Sequence, residues 1–380
     1  MTSLKAPARA VDTNGAMRRL LAVIAALLAL LAAPAALAAD PPPPAPPPPT
    51  ESAAATDPPP AAAPAGPKSW AKAEIETVVA AGLMAPAAAE FRPDDPLTKK
   101  ELAELLVALG GTAPTPANPA KPVKLRELDA ALVRLLGLAP AAKQLKATLA
   151  SAGLAPRAYT GTEVVARLLG LRLNHLQADD RLELLPNDPI TRAETAYSVA
   201  RLLALQGSGQ VEAVAARVAS LSLPELTDWQ RLVLARAVRF VGYPYVWGGS
   251  SELPQAPFGK PVPGGFDCSG FVWRVYKLEP FDGASSLADT LQGRTTYVMS
   301  GEVAPELRIP FEALQPADIV FFGDKGLKSK PGQIGHMGMY LGNGWFVHSS
   351  SHGTTIDPLD GWYATSFAWA RRPLAEAGLA

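Results

Sequence analysis

Between Trp70 and Leu205 the apolar positions recur at helical spacing, as in Leu102, Leu105, Leu106 and Leu109 and again in Val164, Val165, Leu168 and Leu169, so several short helices are expected there. A further helix is expected over Trp229 to Phe240, stopped by Gly242; beyond it glycine, aromatic and β-branched residues become frequent and a new unit begins. In that unit Ser269 to Lys277 places Phe271, Val272 and Val275 on one helical face, with Cys268 at the helix N-terminus. Met337 to Leu341 and Trp345 to Val347 read as strands joined around Gly342-Asn343-Gly344, a β-hairpin. At the other end of the chain, Arg18 and Arg19 precede an apolar run from Leu20 to Ala33, too short to span a bilayer, and Ala36 and Ala38 supply an A-x-A cleavage site. The pattern divides the chain into a signal peptide (1–39), a Pro/Ala-rich disordered linker (40–67), a helical repeat region (68–205), a connector (206–224) and a C-terminal domain (225–375). Residues 41–67 hold 13 of the 39 prolines and almost no large apolar side chains, which favours extended polyproline II.

Composition narrows the function more than the fold. The 380 residues carry 35 basic and 35 acidic side chains, so no net field draws the chain to nucleic acid, and no membrane contact is expected after signal cleavage. One cysteine, Cys268, excludes an intramolecular disulfide and any zinc site built from several thiolates. No cofactor is called for. A zinc ion on Cys268, His336 and His348 would lack a fourth ligand, so no metal is assigned.

Within the helical region one segment occurs twice: Phe91-Arg-Pro-Asp-Asp-Pro-Leu-Thr-Lys-Lys-Glu101 and, 93 residues later, Leu184-Leu-Pro-Asn-Asp-Pro-Ile-Thr-Arg-Ala-Glu194. In each, Thr followed three residues on by Glu is a capping box, and an internal duplication explains the pair. Both copies resemble S-layer homology (SLH) modules, with Trp70, Ile75 and Gly82 matching the usual lead-in, and a middle module around Leu125 to Leu138 is visible only as a helix, without the turn. The resemblance implies binding to an anionic secondary cell-wall polymer, with the Arg of each turn on its charged groups. The alternative is a degenerate packing domain.

The candidate chemistry lies in the last 150 residues. A lone thiol in an exported protein is exposed to oxidation, which makes sense if the sulfur has a task. At a helix start the unpaired N–H groups favour thiolate over thiol. Three of the four histidines, His336, His348 and His352, fall within 17 residues. Whether His336 and His348 cooperate depends on hairpin register, because side chains alternate between faces. A two-residue Asn343-Gly344 loop would pair Met339 with His348 and separate the rings. A three-residue loop with Gly344 left-handed would pair Gly338 with His348 and put both imidazoles on one face, and this second register is expected. Cys268 is then the nucleophile, His336 its base and His348 the orienter, with His352 as the substitute orienter.

Tyr243-Pro-Tyr-Val-Trp-Gly-Gly249, Asp267-Cys-Ser-Gly270 and Gly335-His-Met-Gly-Met-Tyr-Leu-Gly342 together resemble the NlpC/P60 family of papain-like peptidoglycan endopeptidases, over about residues 225 to 372. The resemblance implies an α+β fold, a papain-like NlpC/P60 domain of helices packed on an antiparallel sheet, preceded by the all-α SLH-like region. It implies a secreted cysteine peptidase that hydrolyses peptidoglycan stem peptides between D-glutamate, through its γ-carboxyl, and a diamino acid. Tyr245 is then the tyrosine beside the sulfur, and Asp267 and Ser269 match positions that bind the amino end of the stem peptide. Two departures stand out: Ala317 replaces the Gly of Pro-Gly-Asp, which should only alter a turn, and residues 251–265 are an insertion able to reshape or cover the substrate groove. The alternatives are an inactive wall-binding scaffold and another thiol amidase or acyltransferase of the same superfamily.

Overall fold

The computed structural model describes residues 68–379. The signal peptide and linker expected over residues 1–67 lie outside the described residues. The helical part comprises α1 (Lys72–Ala80), α2 (Lys99–Ala108), α3 (Leu125–Leu135), α4 (Ala139–Ser151), α5 (Thr160–Leu168) and α6 (Arg192–Leu205). The stretch read as a connector contains α7 (Gln210–Ala219), in which Val211, Val214, Ala215 and Val218 recur at helical spacing and Val218 is buried.

Three turns, not two, organise this part. Leu97 N–H donates to the Ile190 carbonyl (2.9 Å), Ile190 N–H to the Val123 carbonyl (2.9 Å) and Val123 N–H to the Leu97 carbonyl (2.8 Å), closing a ring with pseudo-threefold symmetry. Each turn starts a helix: α2 after Thr98, α3 after Lys124, α6 after Thr191. The middle turn, absent from the sequence reading, is Pro122-Val-Lys-Leu-Arg-Glu127, in which Glu127 accepts from the Lys124 N–H at 2.8 Å. Lys in place of Thr at the cap obscured it.

The capping boxes also differ from expectation. That of α2 is complete, with Thr98 N–H donating to Glu101 (2.8 Å) and Glu101 N–H to the Thr98 hydroxyl (3.2 Å). At α6 only half forms: Glu194 N–H donates to the Thr191 hydroxyl (3.1 Å), while the Glu194 carboxylate turns to His175 (2.7 Å). The position after each cap explains why. Lys99 reaches Glu127 at 2.6 Å and Arg192 reaches Glu101 at 2.6 Å, but the third equivalent is Leu125, which cannot pair with Glu194.

The rest of the chain contributes α8 (Asp228–Val238), α9 (Cys268–Tyr276), α10 (Ser285–Asp289), α11 (Thr296–Gly301), α12 (Gly361–Ser366) and α13 (Pro373–Glu376). The strands are β1 (Ser250–Ser251), β2 (Gly265–Phe266), β3 (Ile319–Gly323), β4 (Ile334–Gly342), β5 (Trp345–Ser350), β6 (Gly353–Pro358) and β7 (Phe367–Arg371). β1 and β2 form a ribbon; the others form an antiparallel sheet in the order β6-β5-β4-β3-β7. Strand alternation gives the sheet two buried faces. Ile319, Phe321, Met337 and Met339 join a core that continues through α9 and α8 into the helical part, while Val320, Phe322, Phe346 and Phe367 pack on the other side.

That shared core is pinned by a buried ion pair. Arg167 on α5 bonds Glu163 (2.9 Å), and its guanidinium also donates to the carbonyls of Gly242 (3.1 Å) and His352, both in the sheet-bearing part.

Candidate functional site

Cys268 opens α9, as the apolar spacing predicted, because Asp267 is an N-cap: it sits in extended backbone and its carboxylate accepts from the Gly270 N–H. The Ser269 and Met337 N–H groups point at the sulfur, and the Thr296 hydroxyl at the head of α11 lies 3.4 Å from it. Met337 follows His336 on β4, but the His336 ring makes no hydrogen bond to the sulfur: it bonds His348 (2.8 Å) and stacks on Phe322, on the sheet face opposite Met337. Burial and the neighbouring Asp267 carboxylate push the thiol up to about 11, outweighing the hydrogen bonds that pull it down.

The hairpin has the register that brings the imidazoles together, by a different device. Gly338 pairs with His348, but the connection is the two-residue Asn343-Gly344 turn, both residues having positive φ (48° and 79°). The register shift that corrects the offset lies between Tyr340 and Gly342, a β-bulge at Leu341 with Gly342 at φ 114°. Gly338 is needed here, since a Cβ would come within 2.8 Å of the His348 Cβ.

His336 Nε2 is 2.8 Å from His348 Nδ1, and His348 Nε2 is 2.9 Å from an Asp357 carboxylate oxygen. The order of protons follows from the last member. A carboxylate only accepts, so His348 carries its proton on Nε2; its Nδ1 then accepts from His336 Nε2–H, and His336 Nδ1 is left as the lone-pair nitrogen. Burial and the adjacent His348 push the half-buried His336 well below the ordinary histidine range, so its imidazole is neutral. Phe322 stacks on His336 (5.7 Å, 25°) and Phe346 on His348 (4.3 Å, 28°), fixing both ring planes.

Asp357 is the member that sequence reasoning missed. It sits on β6, two residues beyond Thr355, which pairs with His348, so it reaches the imidazole diagonally across the sheet. It occupies a place behind His348 that the sequence reading did not assign; His352, the substitute orienter, stays outside the relay, and its backbone carbonyl accepts from Arg167.

Burial raises the Tyr245 phenol, and the neighbouring Cys268 and Asp267 raise it further. Asp267 and Ser269 are joined (3.0 Å) and share Arg294, a residue absent from the sequence reading, whose guanidinium donates to Ser269 (2.7 Å), Asp267 (3.1 Å) and the Gly249 carbonyl (3.0 Å). The insertion is an ordered ribbon: Gln255 bonds back to Ser250 N–H (2.9 Å) and the Gly265 carbonyl (2.8 Å), and exposed Phe258 lies over Gly248. Ala317 keeps the left-handed turn at φ 71°, where a glycine would be unstrained.

Both parts of the chain have known relatives. The NlpC/P60 family model matches residues 242–372 and the S-layer homology model residues 65–103. The chain carries an NlpC/P60 domain and an SLH domain. The first is similar to the probable peptidoglycan endopeptidase LytE of Bacillus subtilis, at 32% identity over 131 residues, covering 34% of this chain and 30% of that protein. It is also similar to a gamma-D-glutamyl-L-lysine dipeptidyl-peptidase of Bacillus subtilis, at 28% identity, covering 32% of each chain. Among solved structures, an NlpC/P60 family protein from Bacillus cereus matches at 27% identity and TM-score 0.28, covering 40% of this chain and 42% of that one. The chain spans about a third of the length of these curated relatives. In the SLH-like part, Arg192 does not project toward a polymer as the resemblance implied. It is 3% exposed, and its guanidinium is committed to Glu101, the Phe91 carbonyl (2.8 Å) and the Met84 carbonyl (2.6 Å).

Proposed function

We propose that this protein is a secreted cysteine peptidase that hydrolyses peptidoglycan stem peptides at the bond between the γ-carboxyl of D-glutamate and a diamino acid. The observation that carries the reading is the ordered relay from Asp357 through His348 to His336, which leaves one basic nitrogen on the residue whose neighbour contacts the Cys268 sulfur. The names borne by the relatives of the NlpC/P60 domain support the substrate class, and the SLH domain supports residence at the cell wall through an anionic polymer. Among the described residues no helix is long and apolar enough to cross a membrane.

In this mechanism thiol and imidazole start neutral. As sulfur attacks the scissile carbonyl, the thiol proton moves to His336 Nδ1; the imidazolium then protonates the departing amine, and a water deprotonated by the same nitrogen cleaves the thioester. N–H groups at the start of α9 are suited to hold the oxyanion, each such donor being worth about 3 kcal/mol in comparable sites. Asp267, Ser269 and Tyr245 receive the amino end of the stem peptide, with Arg294 fixing the first two.

Cys268→Ala should abolish release of stem-peptide fragments from purified peptidoglycan, read by mass spectrometry, and unchanged release would end the proposal. The second reading, an inactive wall-binding scaffold, is favoured by the burial of the thiol. Iodoacetamide separates the two: a working relay alkylates Cys268 at neutral pH faster than the His336→Ala variant does, whereas an inert thiol reacts at the same slow rate in both.

A further inference from the structure

The loop between α5 and α6 belongs to the helical part by sequence, yet two of its side chains organise the segment that carries Tyr245. Asn174 acts as a one-residue strand partner: its Oδ1 accepts from the Tyr245 N–H (2.6 Å) and its Nδ2 donates to the Tyr245 carbonyl (3.0 Å). Two residues on, the Trp247 N–H donates to the buried Asp180 carboxylate (3.0 Å). On its other side the Tyr245 segment pairs with Phe266, which leads directly into Asp267 and Cys268. The backbone of Tyr245 is therefore held between the loop and the strand that delivers the nucleophile.

The loop is itself anchored by the third turn. His175 donates its N–H to Glu183, its ring meets Glu194 at 2.7 Å, and Trp70 packs edge-on against it (4.7 Å, 86°). Glu194 is free to do this because Leu125 stands where Lys99 and Arg192 occupy the equivalent glutamates of the other two turns. The departure of the middle module from a basic residue thus has a counterpart: a carboxylate redirected toward the active-site loop.

We propose that Asn174 is a positioning residue of the peptidase site, setting the Tyr245 ring beside the sulfur from within the SLH-like part. The inference rests on the peptidase reading, and the test separates the two. In the full chain, Asn174→Ala removes both bonds to Tyr245, Asn174→Asp keeps the acceptor for its N–H, and Tyr245→Phe removes the hydroxyl being positioned. For hydrolysis of a defined muropeptide, N174A should lower kcat/KM about tenfold, because small displacements of a group that positions the substrate are costly. N174D should recover part of that loss, and N174A should cause little further loss in the Y245F background. Wild-type activity in N174A, or the same fold-loss in the Y245F background as in the wild type, overturns the proposal. Should N174A fail to fold by thermal melting, N174D and its Y245F double variant decide by the same criterion. Should the wild type cleave nothing, the peptidase reading fails by itself; the rate of Cys268 alkylation is then the readout, and the proposal stands only if N174A and Y245F change it by the same factor.

Discussion

Asp357→Asn is the sharpest test of the relay, because it alters one charge and one proton while leaving the shape of the site in place. His348 is fully buried, with Asp357 2.9 Å from Nε2 and His336 2.8 Å from Nδ1, so its proton has only these two places to point. A hydrogen bond to a charged group contributes about 1.5–3 kcal/mol and a neutral one about 0.5–1.5 kcal/mol. Replacing the carboxylate with an amide therefore removes on the order of 1–2 kcal/mol of preference for the productive tautomer. The amide can also turn its NH2 toward Nε2, which reverses the chain and places a proton on His336 Nδ1. Loss of the anion also removes stabilisation of the imidazolium formed during attack. Together these effects should lower kcat by about 10²- to 10⁴-fold, the range of a general base that loses its orienter. Fragment release from peptidoglycan measures this, with melting temperature recorded in parallel. Stability should change little in D357N but fall in D357A, which leaves a buried donor unpaired at a cost of about 1–3 kcal/mol. Activity in D357N within threefold of the wild type, at unchanged stability, would refute the tautomer argument.

Two further substitutions test the frame around the site. Gly270→Ala should abolish activity and lower the melting temperature, because a Cβ there would overlap the Gly249 carbonyl oxygen, with the Arg294 guanidinium beside it. Ala317→Gly should stabilise by about 0.5–1 kcal/mol in urea unfolding, since the left-handed strain at φ 71° exceeds the added freedom of the unfolded chain; a lower midpoint would show that the turn carries no strain.

The parts of this site that were legible in the sequence are those governed by local rules. An Asp-Cys-Ser-Gly run before a helical apolar face places the sulfur at a helix start through its own N-cap, and alternation in the hairpin places two imidazoles on one face. What escaped depends on pairing between distant segments. Asp357 enters the relay only through the register of β5 with β6, and Arg294 only through the packing of the stretch before α11 against Asp267. The burial that opposes the thiolate also escaped, because the helix start is visible in sequence and its enclosure is not. The middle turn of the helical part was hidden by Lys124 at the cap, although Pro, an aliphatic residue and Glu keep the spacing of the other two turns.

The continuity of the core from the three turns to the sheet, locked by Arg167, has a mechanical meaning. Two halves that share one interior move as one solid, so whatever the helical part holds stands at a set offset from the Cys268 sulfur, as a ruler marks a fixed length.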